Sequence, residues 1–199
     1  MLNFCFPPGW FSPVVATDSQ TRNRVIVRKA QPQDIKELAR LLTECFHPQQ
    51  GWLSYFNPLL TLGVHEDLRT RLHLPPSQYR CLIASQPVNG DRTNRQEIVG
   101  TLEIGLRKSF LGSSSRPYIS NLAVKPSHRR QGIARQLLVK CEQIASEWEA
   151  KELTLHVLED NHAARQLYLA NGYQIQQAEV NLSYWLFQQP RRLLLQKLV

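Results

Sequence analysis

The sequence predicts a single α/β domain, and three stretches carry that expectation. The first is an apolar run, Tyr118-Ile119-Ser120-Asn121-Leu122-Ala123-Val124, rich in strand-forming side chains. A basic turn joins it to a helical pattern in which Ile133, Leu137, Cys141, Ile144 and Trp148 fall on one face. The second is an alternating run over residues 153–158, followed by a short helical segment over 161–170 that ends at Asn171-Gly172, a helix-stop signal. The third is a pair of strand candidates, 79–84 and 97–106, separated by a polar loop with the turn-former Asn89-Gly90-Asp91.

Taken in order, the domain starts at Val25-Ile26-Val27, a short β run. Gln31-Pro32-Gln33-Asp34 then opens a helix, because proline is tolerated in a first turn. Ile35, Leu38, Leu41, Leu42 and Cys45 mark its buried face, and Phe46-His47-Pro48-Gln49-Gln50-Gly51 ends it. A second, less regular helical region spans about 52–74 and is expected to break near Pro58 and Gly63. The strand pair follows, then a Ser/Gly-rich link over 109–115 that leads to the strand at Tyr118. After the long helix and the strand–helix pair, the tail from Tyr173 reads as strands around a turn at Gln188-Gln189-Pro190-Arg191. The element order is β-α-α-β-β-β-α-β-α-β-β, without internal repeats.

Composition sets the class. A chain of 199 residues is long enough for one full core, and 42% hydrophobic with 20% charged content is ordinary for a globular domain. No apolar run approaches the ~20 residues that span a bilayer, so no membrane role is expected. The net charge of +8 favours an anionic partner: a coenzyme, an acidic peptide or nucleic acid. The excess is scattered, with no zinc-finger spacing and no basic-aromatic tract, which argues against nucleic acid. Cys5, Cys45, Cys81 and Cys141 stand apart with no Cys-x-x-Cys pair, so reduced thiols and no metal site are expected. Cys45 and Cys141 lie on apolar helix faces, where a thiol acts as a small hydrophobe. Residues 1–23 read as an extension to the domain of residues 24–199. Pro7, Pro8 and Pro13 interrupt their apolar start and no basic segment precedes it, unlike a signal peptide. A cytoplasmic setting is the expectation. The scarcity of acids in this stretch, with Asp18 alone, leaves an organelle-targeting remnant and an organelle stroma as the alternative.

The turn between the first strand and its helix carries the chemistry. Arg129-Arg130-Gln131-Gly132-Ile133-Ala134 places two cations and a glycine at a helix start. A helix N-terminus offers unpaired N–H groups and partial positive charge, which together bind phosphate oxygens. Glycine lets the backbone approach a bulky diphosphate. This turn resembles the acetyl-CoA signature of the GNAT superfamily of N-acetyltransferases, Arg/Gln-x-x-Gly-x-Gly/Ala, with Arg129, Gly132 and Ala134 at its fixed positions. Leu155-His156-Val157 followed by Asn161, Ala164, Leu167-Tyr168 and Gly172-Tyr173 resembles the second GNAT motif, Asn-x-x-Ala-x-x-Leu-Tyr then Gly-Phe/Tyr. The element order also matches that family from about residue 24 onward.

The resemblance implies a central mixed, mostly antiparallel sheet flanked by helices, with two central strands splayed to hold acetyl-CoA as cosubstrate. It implies that backbone at Leu122, Ala123 and Val124 binds the pantetheine arm and polarises the acetyl carbonyl. Residues Arg129, Arg130, Gln131, Gly132, Ile133 and Ala134 would hold the pyrophosphate. Asn161 would touch the coenzyme where the strands splay, and Tyr168 would protonate the departing sulfur; a tyrosine hydroxyl is almost fully protonated at neutral pH. Each of these residues also has a plain structural use: Asn161 as a helix N-cap, Tyr168 as a buried aromatic, Gly172 as a helix stop.

Acetylation requires an amine stripped of its proton, and here the residues leave two bases open. His156 alternates with Leu155 and Val157 and so faces away from their layer; histidine exchanges protons near neutrality. Glu103, on the preceding strand, is the rival, since a strand carboxylate is the base in many GNAT enzymes. Tyr118 and His156 together resemble the catalytic pair of the protein N-terminal acetyltransferases within the superfamily. Phe46 and Pro48 sit where those enzymes carry a Phe-Pro wall for the first side chain of the peptide, although His47 stands at the proline position. Tyr184-Trp185 resembles their aromatic pair against the peptide backbone. These features imply protein α-amines as acceptors, with lysine side chains as in plastid and cyanobacterial relatives. The alternatives are a small-molecule amine as acceptor, or a non-catalytic acetyl-CoA-binding module.

Overall fold

The computed structural model describes residues 25–46, 57–88, 96–108, 115–179 and 190–199, with side chains in the second helix described from residue 61. Within these residues the strands are β1 (Ile26–Lys29), β2 (Tyr79–Pro87), β3 (Gln96–Lys108), β4 (Ser115–Val124), β5 (Glu152–Leu158), β6 (Gln174–Glu179) and β7 (Arg192–Leu198). The helices are α1 (Ile35–Phe46), α2 (Asn57–Leu72), α3 (Ile133–Glu147) and α4 (His162–Ala170). The strands form one sheet in the order β1-β2-β3-β4-β5-β7-β6. Every pairing is antiparallel except β4 with β5.

That one parallel contact is short. Tyr118 pairs with Thr154 and Ile119 with Leu155, and there the pairing stops. Beyond it β4 runs on to Val124 and β5 to Leu158 without bridging, so the two halves of the sheet part in a V. This is the splay that the resemblance implies.

Each face of the sheet packs on a different helix pair. Leu82, Val99, Leu102, Ile104, Ile119, Leu153, Leu155 and Val157 meet the apolar stripe of α3 (Ile133, Leu137, Leu138, Cys141, Ile144) and Tyr168 of α4. Tyr79, Cys81, Ile83, Ile98 and Ala123 meet Ile35, Leu38, Leu41 and Leu42 of α1 and Leu68 of α2. Full burial of one such aliphatic side chain contributes roughly 1.5–3 kcal/mol. The helix faces read from the sequence are therefore the buried faces, except that Cys45 and Trp148 at the helix ends are only partly buried. Gly100 seats α3 closely, because a Cβ there would meet Ile133 Cγ2 at 3.1 Å and Leu137 Cδ1 at 3.3 Å.

Local signals account for most boundaries. Asp34 accepts the Gln31 N–H at 2.7 Å and pairs with Arg28, fixing the 3-10 turn Pro32–Asp34 that leads into α1. Asn161 caps α4 by accepting the Ala164 N–H at 3.1 Å. At its other end Gly172, at φ 86°, donates to Leu169 O while Tyr173 N–H donates to Tyr168 O, a Schellman stop. The expected break in the second helical region is absent: α2 runs unbroken from Asn57 to Leu72. Pro58 lies in its first turn, where the missing N–H is harmless, and the cost of Gly63, about 1 kcal/mol, is too small to stop a packed helix. Four strands also run further than expected, β2 to Pro87, β3 to Lys108, β4 from Ser115 and β5 from Glu152, because ladder pairing continues past the apolar stretch.

Candidate active site

One wall of the V is the end of β4. Between the pairs Thr101↔Ala123 and Glu103↔Ser120, β4 carries one residue more than β3, a β-bulge. Asn121 sits there with φ 51°, a conformation that asparagine tolerates better than most residues. Its Nδ2 donates to Glu103 Oε1 at 2.9 Å, and Arg71 ion-pairs the other oxygen of that carboxylate. The bulge reverses the alternation of β4. Ile119 packs towards α3, whereas Ala123, an even number of residues on, packs towards α1. Leu122, Ala123 and Val124 all line the opening.

The other wall is α4, contributing Asn161, Ala164, Leu167 and Tyr168, and the floor is the turn into α3. The cavity they enclose has a volume of about 580 Å³. In the turn, Arg130 (φ 64°) and Gly132 (φ 78°) are both left-handed, a succession that curls backbone N–H groups around a concavity. Gly132 is the N-cap of α3 and supplies no side-chain cap, so the first N–H groups of the helix remain open. A Cβ on Gly132 would meet nothing within 4 Å, which means that it would occupy free cavity space, and its positive φ would strain any other residue. His128, Arg129, Arg130 and Arg135 surround this point, and no described acidic side chain lines the cavity. The donor set, the helix terminus and the empty space at Gly132 fit a coenzyme pyrophosphate.

Tyr168 closes the inner end. It is 7% exposed, packs edge-on against Tyr173 at 5.7 Å, and its hydroxyl has no hydrogen-bond partner among the described residues. Burial, followed by nearby Tyr118 and Cys141, raises its pKa well above the usual tyrosine value. The hydroxyl therefore stays protonated throughout the neutral range, as a proton donor must.

Tyr118 and His156 lie on the opposite face of the sheet, the α1–α2 side, where the V begins. Tyr118 Oη and His156 Nδ1 are 3.0 Å apart, and their rings lie 5.7 Å apart. His156 Nε2 lies 2.8 Å from Glu179 Oε1 on β6. The Arg107 guanidinium stacks over the Tyr118 ring at 4.1 Å. This row of polar groups does not line the coenzyme-sized cavity; it borders the far side of the strands that form it.

Residues 35–173 match the model of the Acetyltransferase (GNAT) family. The chain belongs to that family. It is 30% identical over 173 residues to "GCN5-related N-acetyltransferase 10, chloroplastic" of Arabidopsis thaliana, an alignment covering 82% of this chain and 67% of the relative. The chain spans 67% of the length of that relative and 41% of "GCN5-related N-acetyltransferase 7, chloroplastic" of the same organism, to which it is 33% identical over 116 residues. Its fold superimposes on Arabidopsis thaliana NAA60 in complex with a bisubstrate analogue, with TM-score 0.65, 16% identity and coverage of 88% of this chain and 99% of that one. It also superimposes on the PaiA N-acetyltransferase of Thermoplasma acidophilum in complex with coenzyme A, with TM-score 0.63, 17% identity and 88% and 99% coverage. The fold is the GNAT fold, and the protein is an acetyl-CoA-dependent N-acetyltransferase.

Within this GNAT frame the residues singled out from the sequence separate into groups. Leu122, Ala123, Val124, Arg129, Arg130, Gly132, Ile133, Ala134, Asn161 and Tyr168 converge on the cavity, with Phe46 (51% exposed) at its edge. The Ile133 side chain is buried in the core, so only its backbone faces the turn. Gln131 is exposed and does not line the cavity. Tyr118 and His156 come together as a pair. Glu103 is fully buried with both oxygens engaged, inside the sheet–α2 interface. Pro48, Tyr184, Trp185 and the extension of residues 1–23 lie outside the described residues.

Several cavity or site residues escaped the sequence reading, His128 among them. Cys45, expected as a core hydrophobe, is only half buried and lines the cavity with Sγ 3.6 Å from Val124 O. Arg135, one turn into α3, adds to the cationic floor. Glu179 reaches His156 from a strand that is distant in sequence, and no spacing connects them. Among the described residues no group of three or more potential metal ligands comes together, and no helix is long and apolar enough to cross a membrane.

Proposed function

We propose that this N-acetyltransferase acetylates the α-amines of protein N-termini, and lysine side chains as a second class of acceptor. The observation that carries this reading is the Tyr118–His156 pair at the start of the V, on the face opposite the coenzyme turn. An acceptor on that face and a thioester in the cleft would meet through the gap between β4 and β5. The pair also favours His156 over Glu103 as base, because Glu103 is sealed from any substrate and holds the β4 bulge instead. The similar fold of NAA60 was solved in complex with a bisubstrate analogue.

In this reading the backbone of Leu122–Val124 holds the pantetheine arm and the acetyl carbonyl, and the turn from Arg129 to Ala134 holds the pyrophosphate. Bound there, the coenzyme supplies an activated acetyl thioester. His156 and Tyr118 take one proton from the incoming ammonium, which frees the lone pair of the nitrogen. The carbon–nitrogen bond then forms and the carbon–sulfur bond breaks, and Tyr168 donates its proton to the leaving sulfur. The nitrogen loses a second proton, which restores Tyr168 by way of solvent, so one proton is released per turnover. Phe46 and Pro48, with Tyr184 and Trp185, are proposed to wall the acceptor side. The relatives described as chloroplastic favour the stroma of a plastid over the cytoplasm.

Mass-spectrometric mapping of acetyl groups tests the acceptor. The protein is incubated with acetyl-CoA, polyamines and peptides that carry free N-termini and internal lysines. Marks on α-amines are expected, with lysine marks at a lower level. Marks on small amines such as polyamines alone, or coenzyme binding without any product, would overturn the proposal in favour of a small-molecule acetyltransferase or a non-catalytic module.

A further inference from the structure

We infer that Glu179 is a positioning residue: it fixes the tautomer of His156, so that Tyr118 is the group that takes the proton of the acceptor amine and passes its own to the imidazole. The inference rests on the reading of Tyr118 and His156 as the catalytic base and adds an assignment within it. It follows from hydrogen-bond logic. A carboxylate only accepts, so the 2.8 Å contact between Glu179 Oε1 and His156 Nε2 requires the proton on Nε2. The neutral imidazole then presents a lone pair at Nδ1, and among the described residues only the Tyr118 hydroxyl, 3.0 Å away, is there to donate to it.

Both imidazole nitrogens are thereby occupied by protein, and the His156 side chain is only 14% exposed. An amine cannot hydrogen-bond His156 directly without breaking one of these contacts. It can reach Tyr118 Oη, directly or through a water. As Tyr118 accepts the amine proton, its own proton moves to His156 Nδ1, and the imidazolium keeps its Nε2 proton towards Glu179. One proton leaves the nitrogen and one arrives on the imidazole, with no other reagent needed. The carboxylate stabilises the resulting positive charge.

The charges around the relay are mixed. Arg107 on β3 lies over the Tyr118 ring. Arg192 on β7 is the cross-strand partner of Glu179. Glu152, further along β5, is engaged by Arg116 and by Gln196. Among the described residues Glu179 is the acidic group in direct contact with His156, and its side chain is 34% exposed, so its substitution leaves little unfilled space.

The test compares Glu179→Gln, Glu179→Ala, Glu179→Asp, His156→Ala and Tyr118→Phe with the parent protein. The measurement is the pH dependence of kcat and kcat/KM on an α-amine peptide. Glu179→Gln keeps an acceptor at Nε2 but removes the charge that stabilises the imidazolium, so kcat is expected to fall severalfold while the KM for acetyl-CoA stays constant. Glu179→Ala, which also frees the tautomer, is expected to lower kcat about tenfold or more, with partial rescue by Glu179→Asp. If His156→Ala and Tyr118→Phe abolish turnover while Glu179→Gln and Glu179→Ala match the parent in rate and pH profile, the assignment of Glu179 is wrong and the base reading stands. Full activity of His156→Ala would instead sink the base reading itself. Glu179→Gln decides the question even if Glu179→Ala fails to fold.

Discussion

Tyr168 and Glu103 show how burial decides the role of a single residue. Both are buried and both stand near the reacting region, yet only Tyr168 reaches the cavity and keeps its hydroxyl free of other described partners. Because burial raises its pKa, Tyr168 is protonated below that raised value and loses its proton only in strongly basic solution. Tyr168→Phe is therefore expected to lower kcat by roughly 10²-fold with little change in the affinity for acetyl-CoA, measured by steady-state kinetics and calorimetry. In the parent protein Tyr168 contributes no basic limb to the rate profile below about pH 10. An unchanged kcat in the phenylalanine variant would remove Tyr168 as the acid. The sequence motif already located this residue, and alternation along 153–158 already turned His156 away from Leu155 and Val157. Glu179 was illegible because a cross-sheet contact through β7 leaves no periodic trace.

At the scale of elements, turns and caps orient the site. The β4 bulge, held by Asn121 and Glu103, aims Leu122–Val124 into the V, and the left-handed pair Arg130 and Gly132 aims the start of α3 at the same space. At the start of α1, Asp34 has a comparable role for the opposite layer. Burial on its own would raise the Asp34 pKa, but the Arg28 hydrogen bonds, the Gln31 N–H and the Arg28 charge outweigh it and hold the carboxyl below the usual value. The folded state thus favours the carboxylate. Its contribution is present above the unfolded value of ~3.9 and is lost as pH falls through the lower folded value. Asp34→Asn is expected to cost about 1–2 kcal/mol at pH 7 and to lose that deficit in acid, read by denaturant unfolding at both pH values. An equal deficit at pH 7 and below pH 3 would show that the charge is irrelevant. The basic turn and Gly132 were readable from type and spacing. The bulge was not, since Asn121 looks ordinary in a strand until the register with β3 exposes the extra residue.

At the scale of the whole molecule, the sheet is two halves joined by the brief β4–β5 contact, and the cavity lies in the gap between them. A ligand there touches α3 and β4 on one side and α4 on the other, so binding to the folded state stabilises the chain as a unit. At a hundred times its dissociation constant, acetyl-CoA is expected to add about 2.7 kcal/mol, on the order of 5–10 °C in Tm by thermal melt. Gly132→Trp, which fills the space at the turn, is expected to abolish that shift. Retention of the shift would overturn the pyrophosphate assignment. By itself the sequence determined the order of elements, most of their buried faces, the helix caps and the basic turn at the start of α3, because each depends on residues a few positions apart. Only the tertiary structure decided where β4 and β5 part, that Glu103 is locked in the α2 interface, and that Glu179 meets His156. Those facts depend on the packing of segments distant in the chain, which local periodicity does not encode.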